Sequence, residues 1–359
     1  MKSCERVAAL LNREIPNQMG VFEHFWFETL DDYWSAQGYP GDADPAVYFD
    51  YDMAPVPHEL DTVPFSGVQE LIEETDEWVI TRDGCGATLK TWKNRSGTPE
   101  HIGFEATTPQ KWRKFRQPLL EVNPKRLGDL DKIRKSLDEI RSRGKSAIFS
   151  NMFVFELMRK TIGDEHFLPA LLLEPDWIHD FCQVYLDFYR NHYDILFREV
   201  GLPDLFWISE DLGFSNGLFC SPQVLAELIM PYHKQLVSFF KDYHLPVVLH
   251  TCGDIRKAIG LIIDAGYDCL EPMEAKAGCD VIEIAKTYGR RISYMGNINA
   301  MVLNTNNPAA VEAEIVPKLK KLKEMRIPYF FHSDHSIPPD IDMKTYEYAL
   351  KLFRDNCRY

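Results

Sequence analysis

Between residues 204 and 336 the chain alternates five short apolar runs, rich in β-branched and aromatic residues, with four helix-like segments. The runs are "DLFWISEDLG" (204–213), "LPVVLHTCG" (245–253), "YDCLEPME" (267–274), "RISYMGNIN" (291–299) and "IPYFFHSDHS" (327–336). Continuous apolar strands separated by helices describe parallel β-structure joined by right-handed crossovers, buried on both faces. The polar residues gather at one end of these runs: Glu210 and Asp211, His250 and Cys252, Glu271, Asn297, then His332, Asp334 and His335. In a closed parallel barrel they would share one rim, where such barrels place their chemistry. The first half is less regular. There 19–27, 46–53 and 145–152 read as earlier barrel strands, and 77–93 as an inserted β-hairpin turning at Asp83-Gly84. The expected architecture is α/β: one (β/α)8 barrel domain over 1–359 with N-terminal helical and hairpin additions. A chain of 359 residues suits it.

Charge and composition exclude several classes. A formal charge of -14 argues against nucleic acid as the main partner. No run approaches the roughly 18 apolar residues of a membrane helix. The first residues carry acids and an arginine where an export signal needs an apolar core, so a cytoplasmic protein without membrane contact is expected. The eight cysteines show no CxxC and no disulfide framework, and most read as small buried hydrophobes. Cys252 stands apart. In "HTC" it lies two residues from His250, and residues two apart in an extended chain point the same way. One strand end thus offers an imidazole and a thiol, both zinc ligands.

Taken with "SEDLGFSNGLFCSPQVLAELIMPYHKQL", "HTCGDI", "MGNIN" and "FHSDHSIPPD", the chain resembles the uroporphyrinogen decarboxylase superfamily. That superfamily includes true decarboxylases, methylcobalamin:coenzyme M methyltransferases and the corrinoid-dependent methyltransferases of O-demethylase systems. The resemblance implies a (β/α)8 barrel. On its methyltransferase branch it implies zinc on His250, Cys252 and His335, with Glu271 a further carboxylate ligand. It also implies a cobalamin (corrinoid) cofactor carried by a separate partner protein. Coenzyme M methyltransferases have cysteine where this chain has His335.

Decarboxylases bind their polycarboxylated substrate with arginines in an N-terminal segment. The matching stretch here, "GVFEHFWFETLDDYW" (20–34), has none and carries several acids. Phe22, His24 and Trp26 from this stretch, with Asn297, are the expected substrate-binding residues. Asp52, close to the decarboxylases' catalytic aspartate, is an expected catalytic acid together with Glu210, Asp211 and Asp334, and Asp50 is the alternative to Asp52. Glu210 and Asp211 point oppositely if the strand continues through them, so one lines the rim and the other caps a helix or pairs a charge.

Zinc on two histidines and one thiolate carries about +1, against about zero for histidine plus two cysteines. The more positive centre favours a departing alkoxide or phenolate. The expected activity is methyl transfer between a small substrate, an aryl methyl ether, and the cobalt of a corrinoid protein. A metal-free decarboxylase, a methylcobalamin:thiol methyltransferase and a non-catalytic binding barrel are the alternatives.

Overall fold

The computed structural model describes residues 1–57, 60–94 and 98–359. The strands, in chain order, are β1 (Gly20–Val21), β2 (Met53–Pro55), β3 (Gln69–Glu74), β4 (Trp78–Asp83), β5 (Ala87–Trp92), β6 (Glu100–Phe104), β7 (Ser146–Met152), β8 (Leu205–Ser209), β9 (Gly213–Phe214), β10 (Gly217–Leu218), β11 (Val247–Thr251), β12 (Cys269–Pro272), β13 (Ser293–Met295) and β14 (Tyr329–Phe331). Eight of them form a parallel sheet in the order β1-β14-β13-β12-β11-β8-β7-β2, curled almost into a barrel. The five apolar runs of the second half are β8, β11, β12, β13 and β14. Val247, Val248 and Leu249 of β11 are fully buried, as a strand covered on both faces requires.

The helices between them start where the local chemistry dictates. Asp280 accepts hydrogen bonds from the Ile282 and Glu283 amides to open the helix Val281–Tyr288, and Asn307 with Pro308 opens Pro308–Glu324. Among the described residues no helix is long and apolar enough to cross a membrane. All eight cysteines are free.

The first half departs from the expected strands. Of 19–27 only Gly20–Val21 forms a strand ladder, with β14, while Phe25 makes an isolated bridge to Ile337, and of 46–53 only Met53 enters a strand. Asp44 and Pro45 cap and start a helical turn, Pro45–Tyr48, which overrides the alternating pattern of "AVYFDYDM". The hairpin is present as β4 and β5, turning over residues 83–86, where Asp83 Oδ1 accepts the Cys85 and Ala87 amides. It is the middle of a four-stranded sheet, β3-β4-β5-β6. The outer strand β3, "QELIEE", escapes sequence reading because it is acidic and exposed on both faces.

Closure between β1 and β2 is made by one residue. Asp52 donates its backbone N–H to Val21 O, and its Oδ2 accepts the Val21 N–H, each at 3.0 Å. Arg6, from the N-terminal helix Ser3–Leu11, forms an ion pair with the same carboxylate. That helix lies across the strand starts: Cys4 N–H bonds Gly144 O just ahead of β7, and Leu10 O accepts Ser293 Oγ at the start of β13. Asp52 is therefore at the end of the barrel opposite the polar rim, and the catalytic role expected for it is corrected to a structural one. Asp50, on the surface with its ion pair to Lys145, does not reach the rim either.

Candidate active site

At the C-terminal rim, parallel register sets His250 beside Ser209 of β8 and Glu271 of β12. His250 Nδ1 lies 2.5 Å from Glu271 Oε2. With Nδ1–H donated to that carboxylate, the lone pair of Nε2 faces Cys252 Sγ at 3.5 Å and Asp211 Oδ1 at 3.7 Å. Asp211 is fixed by accepting the Cys252 N–H at 2.9 Å. The candidate ligand atoms of Asp211, His250 and Cys252 all lie within 4.8 Å of one another.

Bond lengths test whether this set fits zinc. Tetrahedral zinc with Zn–N and Zn–S bonds of about 2.0 and 2.3 Å separates nitrogen from sulfur by about 3.5 Å, and nitrogen from oxygen by about 3.4 Å. The observed separations match the first and lie close to the second. The donor chemistry, one imidazole, one thiol and one carboxylate, fits as well.

Burial would depress the His250 imidazolium, but the Glu271 charge and the Cys252 contact outweigh it and hold its pKa well above the usual range. For Glu271, more deeply buried, the facing His250 charge overcomes desolvation and keeps the carboxyl below its ordinary value. Burial raises the Cys252 thiol, opposed by its bond to His250. Metal ligation deprotonates such a thiol.

His335 is not part of this convergence. Its ring stacks on Trp26 with centroids 6.0 Å apart, and its backbone O accepts a bond from Ser333 Oγ. Glu271 touches the site through His250, in the position of a carboxylate that orients a ligand imidazole.

Beside the metal donors is a cavity of about 290 Å³ whose lining includes Phe22, His24, Met152, Trp207, Asp211 and His250. Its charged lining is acidic, with Glu156, Glu210 and Asp211, and contains no lysine or arginine. Phe22 and His24 thus stand where substrate contact was expected. Trp26 does not line this cavity.

The remaining expectations resolve differently. Glu210, fully buried, accepts the Phe155 and Glu156 amides at 3.0 and 2.7 Å, capping the helix Val154–Thr161. Asp211 is the member of the pair that meets the metal donors. Asp334 accepts the Ala300 amide at 2.8 Å and the Ala275 amide at 2.9 Å. It ties three loops together rather than orienting a ligand imidazole. Asn297 is corrected likewise: its Nδ2 donates to Met273 O and Cys279 O, its Oδ1 accepts Val281 N–H, and the buried amide braces these loops with both its donors used.

Three further residues stand at the site, of which Glu23 and Glu156 escaped sequence reasoning. Glu156 lines the cavity with a carboxyl raised by burial, against the opposing charge of Arg159. Glu23 is buried, bonded to Ser333 Oγ at 2.7 Å. His332, one of the rim residues, has its Nε2 3.2 Å from His24 Nδ1. Burial lowers His24 to about 3, assisted by His332, so its ring is neutral. The acidic 20–34 stretch hinted at Glu23. No spacing signal linked Glu156 to the rim.

Known proteins give the fold a place. A methyltransferase from Methanosarcina mazei matches with a TM-score of 0.70 at 13% identity, over 99% of each chain, a likeness of fold. A sugar phosphate isomerase/epimerase from Parabacteroides distasonis ATCC 8503 aligns at a TM-score of 0.34 and 10% identity, over 74% of this chain and 97% of its own. No curated protein matches the sequence. The profile of the uroporphyrinogen decarboxylase (URO-D) family matches residues 121–355, from ahead of β7 through β14, and the chain belongs to that family.

Proposed function

We propose that this protein is a zinc-dependent methyltransferase that moves a methyl group between an aryl methyl ether and the cobalt of a corrinoid held by a separate protein. The observation that carries this reading is the convergence of His250, Cys252 and Asp211 on a small cavity, partly lined by Phe22, Met152 and Trp207, with no lysine or arginine in its lining. Zinc bound there supplies a Lewis acid that draws charge from the ether oxygen. Glu271 holds the His250 tautomer that leaves Nε2 free. Phe22, Trp207 and Met152 offer the faces and edges on which an aromatic ring packs. Glu156 keeps its proton to higher pH than an ordinary glutamate and delivers it to the departing oxygen.

The URO-D name points to a decarboxylase, but the cavity argues otherwise. About 290 Å³ sits at the lower end of small-molecule sites. A polycarboxylated tetrapyrrole would also meet Glu210 and Asp211 there, and no lysine or arginine. A second reading has one observation behind it. With Asp211 in place of a second histidine the formal charge falls from about +1 to about zero, as in thiol-methylating sets. A carboxylate donates less electron density than a second thiolate, which keeps the centre the better partner for oxygen.

The test supplies a Co(I) corrinoid protein and a panel of methoxylated aromatics, and follows loss of the Co(I) absorption. Zinc-loaded protein is expected to transfer and zinc-depleted protein not. Transfer only between methylcobalamin and a thiol would establish the second reading. Release of CO2 from a carboxylated substrate, with no zinc-dependent transfer, would refute both.

A further inference from the structure

Next to the first donor set, and separate from it, is a buried group of four ionisable side chains. His24 and Glu23 follow β1, His332 follows β14, and Glu271 lies within β12. The ligand atoms of His24, Glu271 and His332 fall within 4.8 Å of one another. His332 Nε2 is 3.2 Å from His24 Nδ1 and 3.3 Å from Glu23 Oε1, while His332 Nδ1 lies 2.6 Å from Ser333 O and 3.6 Å from Glu271 Oε1. With Nδ1–H donated to Ser333 O, the lone pair of Nε2 faces a carboxylate oxygen and a second imidazole nitrogen. Three donor atoms gathered around one point offer a cation a place between them.

Charge allows the same occupant, although His250 already pairs with Glu271. Glu23 and Glu271 are 4% and 1% exposed, and their ion-pair partners among the described residues are histidines alone, with no lysine or arginine. Buried carboxylates are compensated by cations or by metals. The 3.2 and 3.3 Å separations also agree with the edge of about 3.3 Å expected for tetrahedral coordination at about 2.0 Å. Glu271 can serve both groups, since Oε2 faces His250 and Oε1 faces His332.

We propose that His24, His332 and Glu271, with Glu23 as the second carboxylate, form a second metal site for a divalent transition cation. Two imidazoles and carboxylates without sulfur suit zinc or iron(II) and not a soft thiophilic ion. His24 also lines the reaction cavity, so this cation borders the same space as the thiolate-bearing site. The inference goes beyond the methyl-transfer reading and does not depend on it.

Cobalt(II) titration of the metal-depleted full-length protein separates the two sites, because only the site containing Cys252 gives a thiolate-to-cobalt charge-transfer band. The wild type is expected to take up two equivalents, one with that band and one showing ligand-field absorption alone. Cys252→Ala should lose the band and keep one equivalent. His24→Gln and His332→Ala should keep the band and fall from two equivalents to one, with circular dichroism reporting that each variant is folded. If a histidine variant does not fold, the wild-type stoichiometry decides. Saturation at one equivalent that carries the charge-transfer band overturns the second site. One equivalent without the band overturns the Cys252 site and leaves the second standing.

Discussion

Asp334→Ala separates a loop brace from a catalytic acid. The Asp334 side chain is 1% exposed and accepts two short backbone hydrogen bonds, from Ala300 at 2.8 Å and Ala275 at 2.9 Å. Truncation leaves both amides without an acceptor. A buried unsatisfied donor costs about 1–3 kcal/mol. The Ala300 amide is buried and takes the middle of that range, and the partly exposed Ala275 amide the low end, for a loss of about 3 kcal/mol in all. At roughly 2 °C per kcal/mol for a large domain, the apparent melting midpoint should drop by about 6 °C. Asp334→Asn keeps one acceptor oxygen and should recover about half of that. Thermal unfolding by circular dichroism reads the loss, and metal analysis run in parallel should show unchanged stoichiometry in the folded variant. A variant that melts like the wild type but has lost its metal would refute the brace and restore Asp334 as a partner of the metal ligands.

Two more outcomes bear on the site. Asp211→Ala should weaken zinc binding by more than the roughly 100-fold typical of losing an orienting partner, while His335→Ala, whose ring stacks on Trp26, should retain zinc. Equal losses in competition titrations against a chelator would make the β14 loop the source of the third ligand. Glu156 has its carboxyl raised by burial, so transfer that depends on its proton should decline as pH rises through that raised pKa. Glu156→Gln should remove this limb from the pH–rate profile and slow transfer by about 100-fold. An unchanged profile would take the proton-donor role from Glu156.

The second half of the barrel was legible because its strands are buried on both faces and leave unbroken apolar runs, with polar residues only where each strand emerges. β1 and β2 are two and three residues long, too short to express any period, and the helical turn begun by Asp44 and Pro45 runs into what looked like a strand. At the site the same division holds. His250 and Cys252 are neighbours in sequence, so their spacing announced them. Asp211 against Glu210 was a choice between two faces that alternation posed but could not decide. The direction of His335 is set beyond the strand end by Trp26 and Ser333, and His24 meets His332 across 308 positions of sequence. Such encounters exist only once the barrel has closed.

That closure is uneven. Seven of the eight strand junctions are hydrogen-bonded ladders, and the eighth, between β1 and β2, rests among the described residues on the two hydrogen bonds of Asp52 with Val21. Regions held by few bonds open first and most often, on timescales far shorter than global unfolding. The amides of Val21 and Asp52 are therefore the ones in the sheet set to exchange with solvent early, while β8, β11 and β12 stay protected. Phe22 and His24 follow β1 directly, so the wall of the cavity that faces the substrate hangs from the strand most free to breathe, opposite a wall of metal donors that keeps its place.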